Sequence, residues 1–482
     1  MGWMRFLRQR SARNIGSESM KNTARVLCGA LVMSTVLIGC GGGGGGGGSG
    51  DSAGGANSPG APIATEARLT VQVTVNGTPA AADAAGIYAV KPGDVVAVTS
   101  SETVNWQSSN NATGGITLRN PAVGASTWSA QLVNPSTDQA LYTVTASGGS
   151  GASGVQPSTF RVAGGDVRNG TYAVFATNGT RQTLALNFDI KTYEMSEGTD
   201  KTVAGALDKD PMATGTYVFG GPDGGAVTTA RFRLAQDTIV GAFPFGVTQS
   251  PTVAYAVQPF IASRALTTTQ AALDGVYNRF GIDVSATAAV SDISQFRVSA
   301  GGTSLVRCAD LVIYRVDNCP TTSLQTWSVS PGPSAGIWRM VQAADPANYA
   351  DFAMARVGDQ KIFLIAGKLR TDPMASVFRI GVAESGSWPT GRGHGSSTKG
   401  SWGQVDVGAT ESFRTAVSLD GTSSSAHNIF GSLAPLGPQG IRPIVNGAPG
   451  ETYFAMQGAG IFAIVGARNP QTGGYLQLNL MD

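Results

Sequence analysis

Apolar and polar residues alternate over short stretches along most of the chain, beginning near residue 68. Residues 69–75 carry Leu, Val, Val and Val at every second position, and Asn76 and Gly77 end the run. Alternation with a period of two predicts a half-buried β-strand, and Asn-Gly is a strong signal for a hairpin turn. Helical periodicity is scarce, and residues 269–273 are the best candidate for a short helix. The pattern therefore predicts an all-β protein.

The first part of this β-region resembles a known module. Residues 104–110 read Val-Asn-Trp-Gln-Ser-Ser-Asn, which resembles the V-x-W-x-S-x-N signature of bacterial immunoglobulin-like domains. Residues 142–146 resemble the late strand of such domains, and residues 160–162 would close the module. The resemblance implies an immunoglobulin-like β-sandwich over residues 66–163, with Trp106 as its core tryptophan.

Residues 164–482 show a weak internal duplication. A Gly-x-aromatic start at Gly170 is followed by Asp-Pro-Met-Ala at 210–213, and a second start at Gly336 is followed by the same four residues at 372–375. The shared order of these matches favours duplication over chance. We therefore predict a first β-unit over residues 164–330 and a second, related unit over residues 331–482. Each would be an antiparallel barrel or sandwich that buries one face of every strand.

The N-terminal segment has a different pattern. Lys21 and Arg25 precede an uncharged apolar stretch over residues 26–39, and Cys40 is followed by eight glycines. The stretch has the length of a signal-peptide core and is shorter than the roughly 20 residues that span a bilayer. Residues 37–40, Leu-Ile-Gly-Cys, resemble the lipobox of bacterial lipoproteins. The resemblance implies that residues 1–39 are a signal peptide, with Met20 as an alternative start, and that Cys40 carries lipid such as palmitate.

Residues 40–65 consist mainly of Gly, Ser, Ala and Pro, with a single acid at Asp51. This composition predicts a disordered tether that spans roughly 25–30 Å as a random coil. Lipid and tether together would hold the protein at a membrane without fixing its orientation. Inner-membrane lipoproteins of enteric-type bacteria often carry Asp after the cysteine, and this chain has Gly41. We therefore expect a cell-envelope protein anchored in the outer membrane, on its periplasmic or surface face.

Charge argues against one class of partner. The chain has 33 Lys and Arg and 31 Asp and Glu, and residues 1–39 contain six of the cations and one of the acids. The mature chain therefore has 27 cations and 30 anions, a net charge of −3. A faintly acidic surface without a basic block does not favour nucleic acid as a partner.

The cysteines suggest a disulfide. Cys28 leaves with the signal peptide and Cys40 is the predicted lipidation site, so that Cys308 and Cys319 remain. A pair of cysteines in an exported chain favours a disulfide. The alternative is a metal pair, but ten intervening residues without a nearby histidine suit zinc poorly. We predict no metal site and no cofactor.

Catalytic motifs are weak. Beyond the signal peptide the chain has only two histidines, His394 and His427, as candidate general bases. Ser396 and Lys399 form a Ser-x-x-Lys pair, but flanking glycines oppose the helix on which that pair acts in acyl-transferring enzymes. We expect residues 391–400 to be a mobile loop. We predict no catalytic residue.

Two function classes remain. Trp388, Arg392 and Trp402 are candidates for a shallow surface that binds carbohydrate or protein, although strand-end tryptophans are more often buried. This class predicts a non-catalytic binding or structural role at the envelope. The alternative is a hydrolase that acts on envelope or extracellular polysaccharide or peptide, which would need acids to converge in a cleft. The acids that we weigh for that role are Asp345, Asp351 and Glu384.

Overall fold

The computed structural model confirms an all-β protein. It describes residues 68–110, 115–148, 154–197, 201–220, 230–245, 257–285, 289–310, 312–370, 372–418, 421–433, 435–447, 452–466 and 474–482. The predicted signal peptide, the predicted lipidation site Cys40 and the predicted tether lie outside these residues. Within them the helical segments are three short 3-10 turns, at Gln270–Leu273, Val316–Asn318 and Thr321–Ser323. None of the described helices is long and apolar enough to cross a bilayer.

The N-terminal region is a two-sheet sandwich. Its strands are β1 (Val71–Val75), β2 (Thr78–Pro79), β3 (Ile87–Val90), β4 (Val95–Ser100), β5 (Val104–Asn110), β6 (Thr117–Val123), β7 (Thr127–Val133), β8 (Ala140–Gly148) and β9 (Val155–Val162). One sheet has the order β2-β1-β4-β7-β6 and the other β3-β9-β8-β5. Buried residues of both sheets, such as Val98 and Val144, share one apolar core.

The tryptophan in the centre of this core is not the predicted one. Trp128 on β7 is buried, and its ring stacks on that of Tyr142. Trp106 is only half-buried, because β5 is an edge strand of its sheet. Its indole N–H donates to the carbonyl of Gly124 at 3.0 Å, and its ring packs against the margin of the core. The prediction of Trp106 as the core tryptophan is therefore wrong.

Two closed barrels of eight antiparallel strands follow. The first consists of β10 (Gly170–Ala176), β11 (Arg181–Asn187), β12 (Thr192–Glu197), β13 (Lys201–Lys209), β14 (Thr216–Phe219), β15 (Arg231–Ala235), β16 (Thr238–Phe243) and β17 (Gln258–Ser263). The second consists of β18 (Gly275–Val284), β19 (Ala289–Ser299), β20 (Ser304–Cys308), β21 (Leu324–Pro331), β22 (Ile337–Gln342), β23 (Tyr349–Val357), β24 (Gln360–Leu369) and β25 (Asp372–Ala383).

A third sheet of eight strands ends the chain. Its strands are β26 (Gly391–Ser397), β27 (Trp402–Val407), β28 (Glu411–Val417), β29 (Ser423–Ile429), β30 (Ile441–Ile444), β31 (Tyr453–Gly458), β32 (Ile461–Val465) and β33 (Leu476–Met481). The order is β29-β28-β27-β26-β33-β32-β31-β30. The sheet curls, because a single bridge between Phe430 and Ile444 joins its two edges.

The predicted division at residues 330 and 331 does not match this architecture, since that position lies inside β21. The region after the sandwich holds three eight-stranded units instead of two. Gly336 begins no unit, because it precedes the fifth strand of the second barrel. The structural counterpart of Gly170 is Gly275, and both precede an inward tyrosine. Tyr172 and Tyr277 each donate a hydrogen bond to a carbonyl four residues earlier, at 2.8 and 2.9 Å.

The three eight-stranded units pack against one another through their outer faces. One apolar cluster includes Phe175 and Ile261 of the first barrel, Phe280 and Ile380 of the second, and Leu478 of the third sheet. Strands at this junction are therefore apolar on both faces, and every residue of β16 and β32 is buried. This packing fixes the outer walls and leaves each unit with its own interior.

Candidate binding cavity in the second barrel

The interior of the second barrel is apolar at one end. Residues that lie directly opposite in neighbouring strands share a face, and the pairs Tyr277–Phe296 and Trp338–Phe352 point inward. Leu273, from the turn before β18, packs among them. Because these side chains fill the barrel where β18 begins, this end is closed.

A cavity of about 690 Å³ occupies the other half of the barrel, within the usual range for a small-molecule site. Residues of the turn between β22 and β23 and of the end of β24 border it. The side chains that line it fall into an apolar floor and a charged wall. The floor consists of Phe296, Leu305, Trp327, Met340, Phe363 and Ile365. The arginines of the wall are Arg279, Arg307 and Arg379.

Two of these arginines are held by carboxylates. Arg279 forms an ion pair with Asp292, and its Nε donates to Ser294 Oγ at 3.0 Å. Arg379 Nη1 lies 2.7 Å from Asp283 Oδ1, and its Nε lies 3.1 Å from Asp292 Oδ2. Asp292 therefore bridges the two guanidinium groups. These contacts fix both side chains in the barrel wall.

Arg379 needs a glycine beside it. Gly281 lies directly opposite Arg379 on the neighbouring strand. A Cβ at position 281 would lie 2.2 Å from Arg379 Cδ, which is far too close for a real contact. Because Gly281 has no side chain, the Arg379 side chain can extend over that position on the inner face of the barrel.

Arg307 is the least compensated of the three. Its Nη2 lies 3.5 Å from Asp292 Oδ1, and its Nε is buried without a hydrogen-bond partner. Three guanidinium groups thus face two carboxylates, Asp283 and Asp292. Burial, and then the charge of Arg307, lowers the pKa of Arg279 to about 9. The wall carries a surplus of positive charge at neutral pH, so the cavity favours an anion.

The first barrel contributes to the rim of the cavity. Arg181, at the start of β11, lines the cavity and donates from Nε to the carbonyl of Ala366 at 2.8 Å. Burial lowers the pKa of its guanidinium group. Gly179, in the turn before Arg181, packs so closely on Gly367 that a Cβ at 179 would lie 2.1 Å from the Gly367 oxygen. The turn between β10 and β11 therefore closes one side of the rim.

The acids weighed for hydrolysis converge only in part. Asp345 and Asp351 line the cavity, whereas Glu384 lies elsewhere and pairs with Arg315 at 3.1 Å. Asp351 accepts from Arg339 Nε at 2.7 Å and from Arg339 Nη2 at 3.1 Å. Both of its oxygens are thus engaged with one guanidinium group.

The structure does not bring Trp388, Arg392 and Trp402 together. Arg392 is exposed and pairs with Asp406 at 2.8 Å. Trp402 is 5% exposed, because it faces the first barrel and packs on Ala242. Trp388 packs on the other side of the third sheet, with its ring against Phe430. The predicted binding surface is therefore wrong.

Residues 391–400 do not form a loop as expected, since Gly391–Ser397 is strand β26. Ser396 Oγ donates to the carbonyl of Gly241 in the first barrel at 3.3 Å. His394 Nδ1 lies 3.0 Å from a guanidinium nitrogen of Arg233, and burial together with that charge lowers its pKa. His427 stacks on Phe413 and pairs with Glu411. Neither imidazole is hydrogen-bonded to a serine or cysteine in the contacts that the structure describes.

Cys308 and Cys319 form the predicted disulfide, with their Cα atoms 5.8 Å apart. Cys308 directly follows Arg307 at the end of β20, so the crosslink ties down the strand end beside the cavity. Within the described ranges, no three His, Cys, Asp or Glu side chains cluster in a way that could hold a metal ion.

Comparisons with known proteins show little similarity. No family model and no curated protein matches the chain. The similar solved structures include a DUF4784 family protein from Bacteroides caccae, with 10% identity, a TM-score of 0.17, and coverage of 76% of this chain and 96% of that one. Another is a quinonprotein alcohol dehydrogenase-like protein from Bacteroides thetaiotaomicron, with 10% identity, a TM-score of 0.15, and coverage of 82% and 96%. Domains 1–6 of the surface layer protein SbsC match with 10% identity, a TM-score of 0.13, and coverage of 85% and 65%.

Proposed function

We propose that this is a non-catalytic binding protein whose second barrel holds a small acidic molecule with an apolar portion. The observation that carries the proposal is the position of Arg307, whose guanidinium group lines the cavity and lacks full compensation by a carboxylate. Below the arginines, the floor consists of apolar and aromatic side chains, which suit the apolar portion of a ligand.

The cavity suits a ligand that enters with its apolar end first. That end would rest on Phe296, Trp327 and Phe363, where contact with the rings removes apolar surface from water. The acidic group would then lie at the level of the arginines, where a guanidinium group donates two parallel hydrogen bonds to a carboxylate or phosphate. A charge-assisted hydrogen bond contributes about 1.5–3 kcal/mol.

Hydrolysis is the weaker alternative. A glycosidase-like mechanism needs one carboxyl group as acid and another as base or nucleophile. Asp351 is occupied by Arg339, and Asp345 Oδ1 accepts from the backbone N–H of Ala347 at 3.1 Å. These contacts favour a structural role for both acids at the rim.

The proposed location is the cell envelope, with attachment through lipid on Cys40. The N-terminal sandwich would act as an immunoglobulin-like spacer between the tether and the barrels. Its support is the strand order, since β1, β4, β7 and β6 correspond to strands A, B, E and D of an immunoglobulin domain, and β5, β8 and β9 to C, F and G. Labelling of cells with a palmitate analogue tests the anchor, because Cys40→Ser should abolish incorporation; equal labelling would contradict it.

Gly367→Leu offers a sharp test of the cavity. Gly367 lies on β24 and lines the cavity, and a Cβ there would have nothing within 4 Å. A leucine would fill the binding space without a clash in the wall. Displacement of the fluorescent probe anilinonaphthalene sulfonate by a medium-chain fatty acid reports binding. We expect Gly367→Leu to weaken displacement at least about tenfold, which corresponds to about 1.4 kcal/mol.

A pair of arginine variants tests the charge. The fatty acid should displace the probe at a concentration at least about tenfold lower than the alcohol of the same chain length requires. The reason is that only the acid accepts a charge-assisted hydrogen bond from the arginine. Arg307→Met should remove that difference. Arg297→Met is the matched control, because Arg297 lies on β19 of the same barrel but pairs with Asp317 on the surface. Equal competition by acid and alcohol in the unmodified protein would refute the proposal.

A further inference from the structure

The interior of the third sheet is unusually polar. Arg414 lies directly opposite Val405, and Asn479 and Gln457 each lie opposite Phe462. Val405 and Phe462 belong to the apolar cluster inside the curled sheet, so the polar residues face the same interior. The buried polar side chains on this face are Ser397, Ser412, Arg414, Gln457, Gln477 and Asn479.

Arg414 is a buried cation without an acidic partner. It is 7% exposed, and its Nη2 donates to Ser401 Oγ at 3.1 Å and to the Ser401 carbonyl at 3.4 Å. Its Nε is buried without a hydrogen bond. Among the described residues, no carboxylate forms an ion pair with Arg414, whereas the buried Arg279 and Arg379 of the second barrel both have one. A buried charge without a counter-charge is strongly unfavourable.

A second buried donor belongs to the same polar cluster. Ser401 Oγ lies 2.8 Å from Ser397 Oγ, and Tyr475 donates to Gln477 Oε1 at 2.9 Å. Gln477 Nε2 is then buried without a partner. Burial raises the pKa of Tyr475, and the charge of Arg414 and a hydrogen bond with Ser397 oppose that rise. Tyr475 is thus neutral and supplies no counter-charge.

We propose that the interior of the third sheet binds a small oxyanion, such as inorganic phosphate or sulfate, through Arg414 and Gln477. The unsatisfied groups Arg414 Nε and Gln477 Nε2 are both N–H donors, and an oxyanion is the ligand that accepts from several donors while it neutralises the guanidinium group. The hydroxyls of Ser397 and Ser401 connect Arg414 to Tyr475 through hydrogen bonds and so position the donors. This site is separate from the cavity of the second barrel and does not depend on the function proposed for that cavity.

Equilibrium dialysis of the full mature chain against radiolabelled phosphate, at constant ionic strength with chloride, tests the site. Arg414→Met should weaken phosphate binding at least about tenfold. The control is Arg392→Met, which removes an exposed arginine from the same sheet and should leave binding unchanged. Sulfate should compete with phosphate. Loss of binding in Arg307→Met together with normal binding in Arg414→Met would place the anion in the second barrel and overturn the proposal.

A measurement on the unmodified protein covers the case in which Arg414→Met does not fold. Phosphate should raise the melting temperature of the mature chain above that in chloride of equal ionic strength, because a ligand of the folded state stabilises it. Ser401→Ala keeps Arg414 and should reduce that rise. No binding in dialysis and no rise in melting temperature with either anion would overturn the proposal.

Discussion

The two closed barrels share strand number, pairing and a first inward tyrosine, but their interiors differ. In the first barrel the rings of Tyr193, Phe219, Phe232, Phe243 and Phe260 fill the centre, and Phe219 contacts the other four at centroid distances of 4.7–6.3 Å. In the second barrel aromatic residues fill one half only. The residues at a few inward positions therefore determine whether an eight-stranded barrel has a solid core or encloses a cavity.

The ends at which β10 and β18 begin are closed in both barrels. Arg168 lies over the ring of Phe188 at 4.2 Å from its centroid and forms an ion pair with Asp166, so its charge is compensated and its stem covers the aromatic core. At the end where β18 begins, Leu273 takes the place of Arg168 and packs among the aromatic residues, whereas the arginines of the second barrel line the open space at its opposite end. An eight-stranded barrel has just enough interior to be filled by side chains or to hold one small ligand.

The largest effect should come from a truncation inside the filled barrel. Phe219→Ala should lower the free energy of unfolding by about 3–5 kcal/mol, since it removes a ring with four aromatic neighbours and leaves a void. Met340→Ala, in the floor of the cavity, should cost about 2 kcal/mol, because the removed atoms already face open space and little new void forms. Urea unfolding of the mature chain measures both. Equal losses would show that the second barrel is as tightly packed as the first.

A second effect should appear at alkaline pH. Burial raises the pKa of Tyr172 and Tyr193 in the first barrel to about 12, from an ordinary value near 10. Above about pH 10 the unfolded chain releases protons that the folded chain retains, so stability should fall as pH rises from about 10 to about 12. Replacement of both tyrosines by phenylalanine should make this decline shallower. Tyr277→Phe in the second barrel, where burial also raises the pKa, should reduce it by about half as much.

Urea unfolding at several pH values measures the decline. Each replacement also removes a hydrogen bond, from Tyr172 to the Arg168 carbonyl or from Tyr193 to the Gly220 carbonyl, both at 2.8 Å. At neutral pH the variants should therefore be less stable by about 1 kcal/mol per bond. A decline above pH 10 that is unchanged in the variants would show that other groups control alkaline unfolding.

The sequence predicted the secondary structure better than the boundaries. Period-two alternation is a local property, so the all-β class followed from short windows. The disulfide followed by elimination among four cysteines. The unit boundaries depend instead on which strands pair across a long separation, such as β18 with β25, and no local pattern encodes that closure.

The cavity was missed for a related reason. Alternation shows which residues share a face but does not identify the interior face when both faces are buried. In β18 the residues Phe280 and Ile282 face the neighbouring units, while Arg279 and Gly281 face the interior. The apolar face suggests the inside of a barrel and the charged face suggests solvent, which is the reverse of the actual arrangement. The signal available in the sequence was an arginine at several strand positions flanked by apolar residues.

The predicted binding surface of Trp388, Arg392 and Trp402 was wrong because of a similar ambiguity. An aromatic residue near a strand end is compatible with exposure or with contact to another unit. Trp402 faces the first barrel, a contact between residues more than a hundred positions apart. Only the arrangement of the units determines its environment.

The packing of the units through their outer faces has a consequence for biosynthesis. A chain is made from its N-terminus, so the first barrel is complete before the second barrel and the third sheet exist. Until then Phe175, Val240 and Ile261 present an apolar wall to their surroundings, and each of these residues is almost fully covered in the finished molecule. Such a surface is prone to aggregation until the second barrel and the third sheet cover it. The order of the units along the chain therefore makes the nascent protein dependent on protection until its last strand is in place.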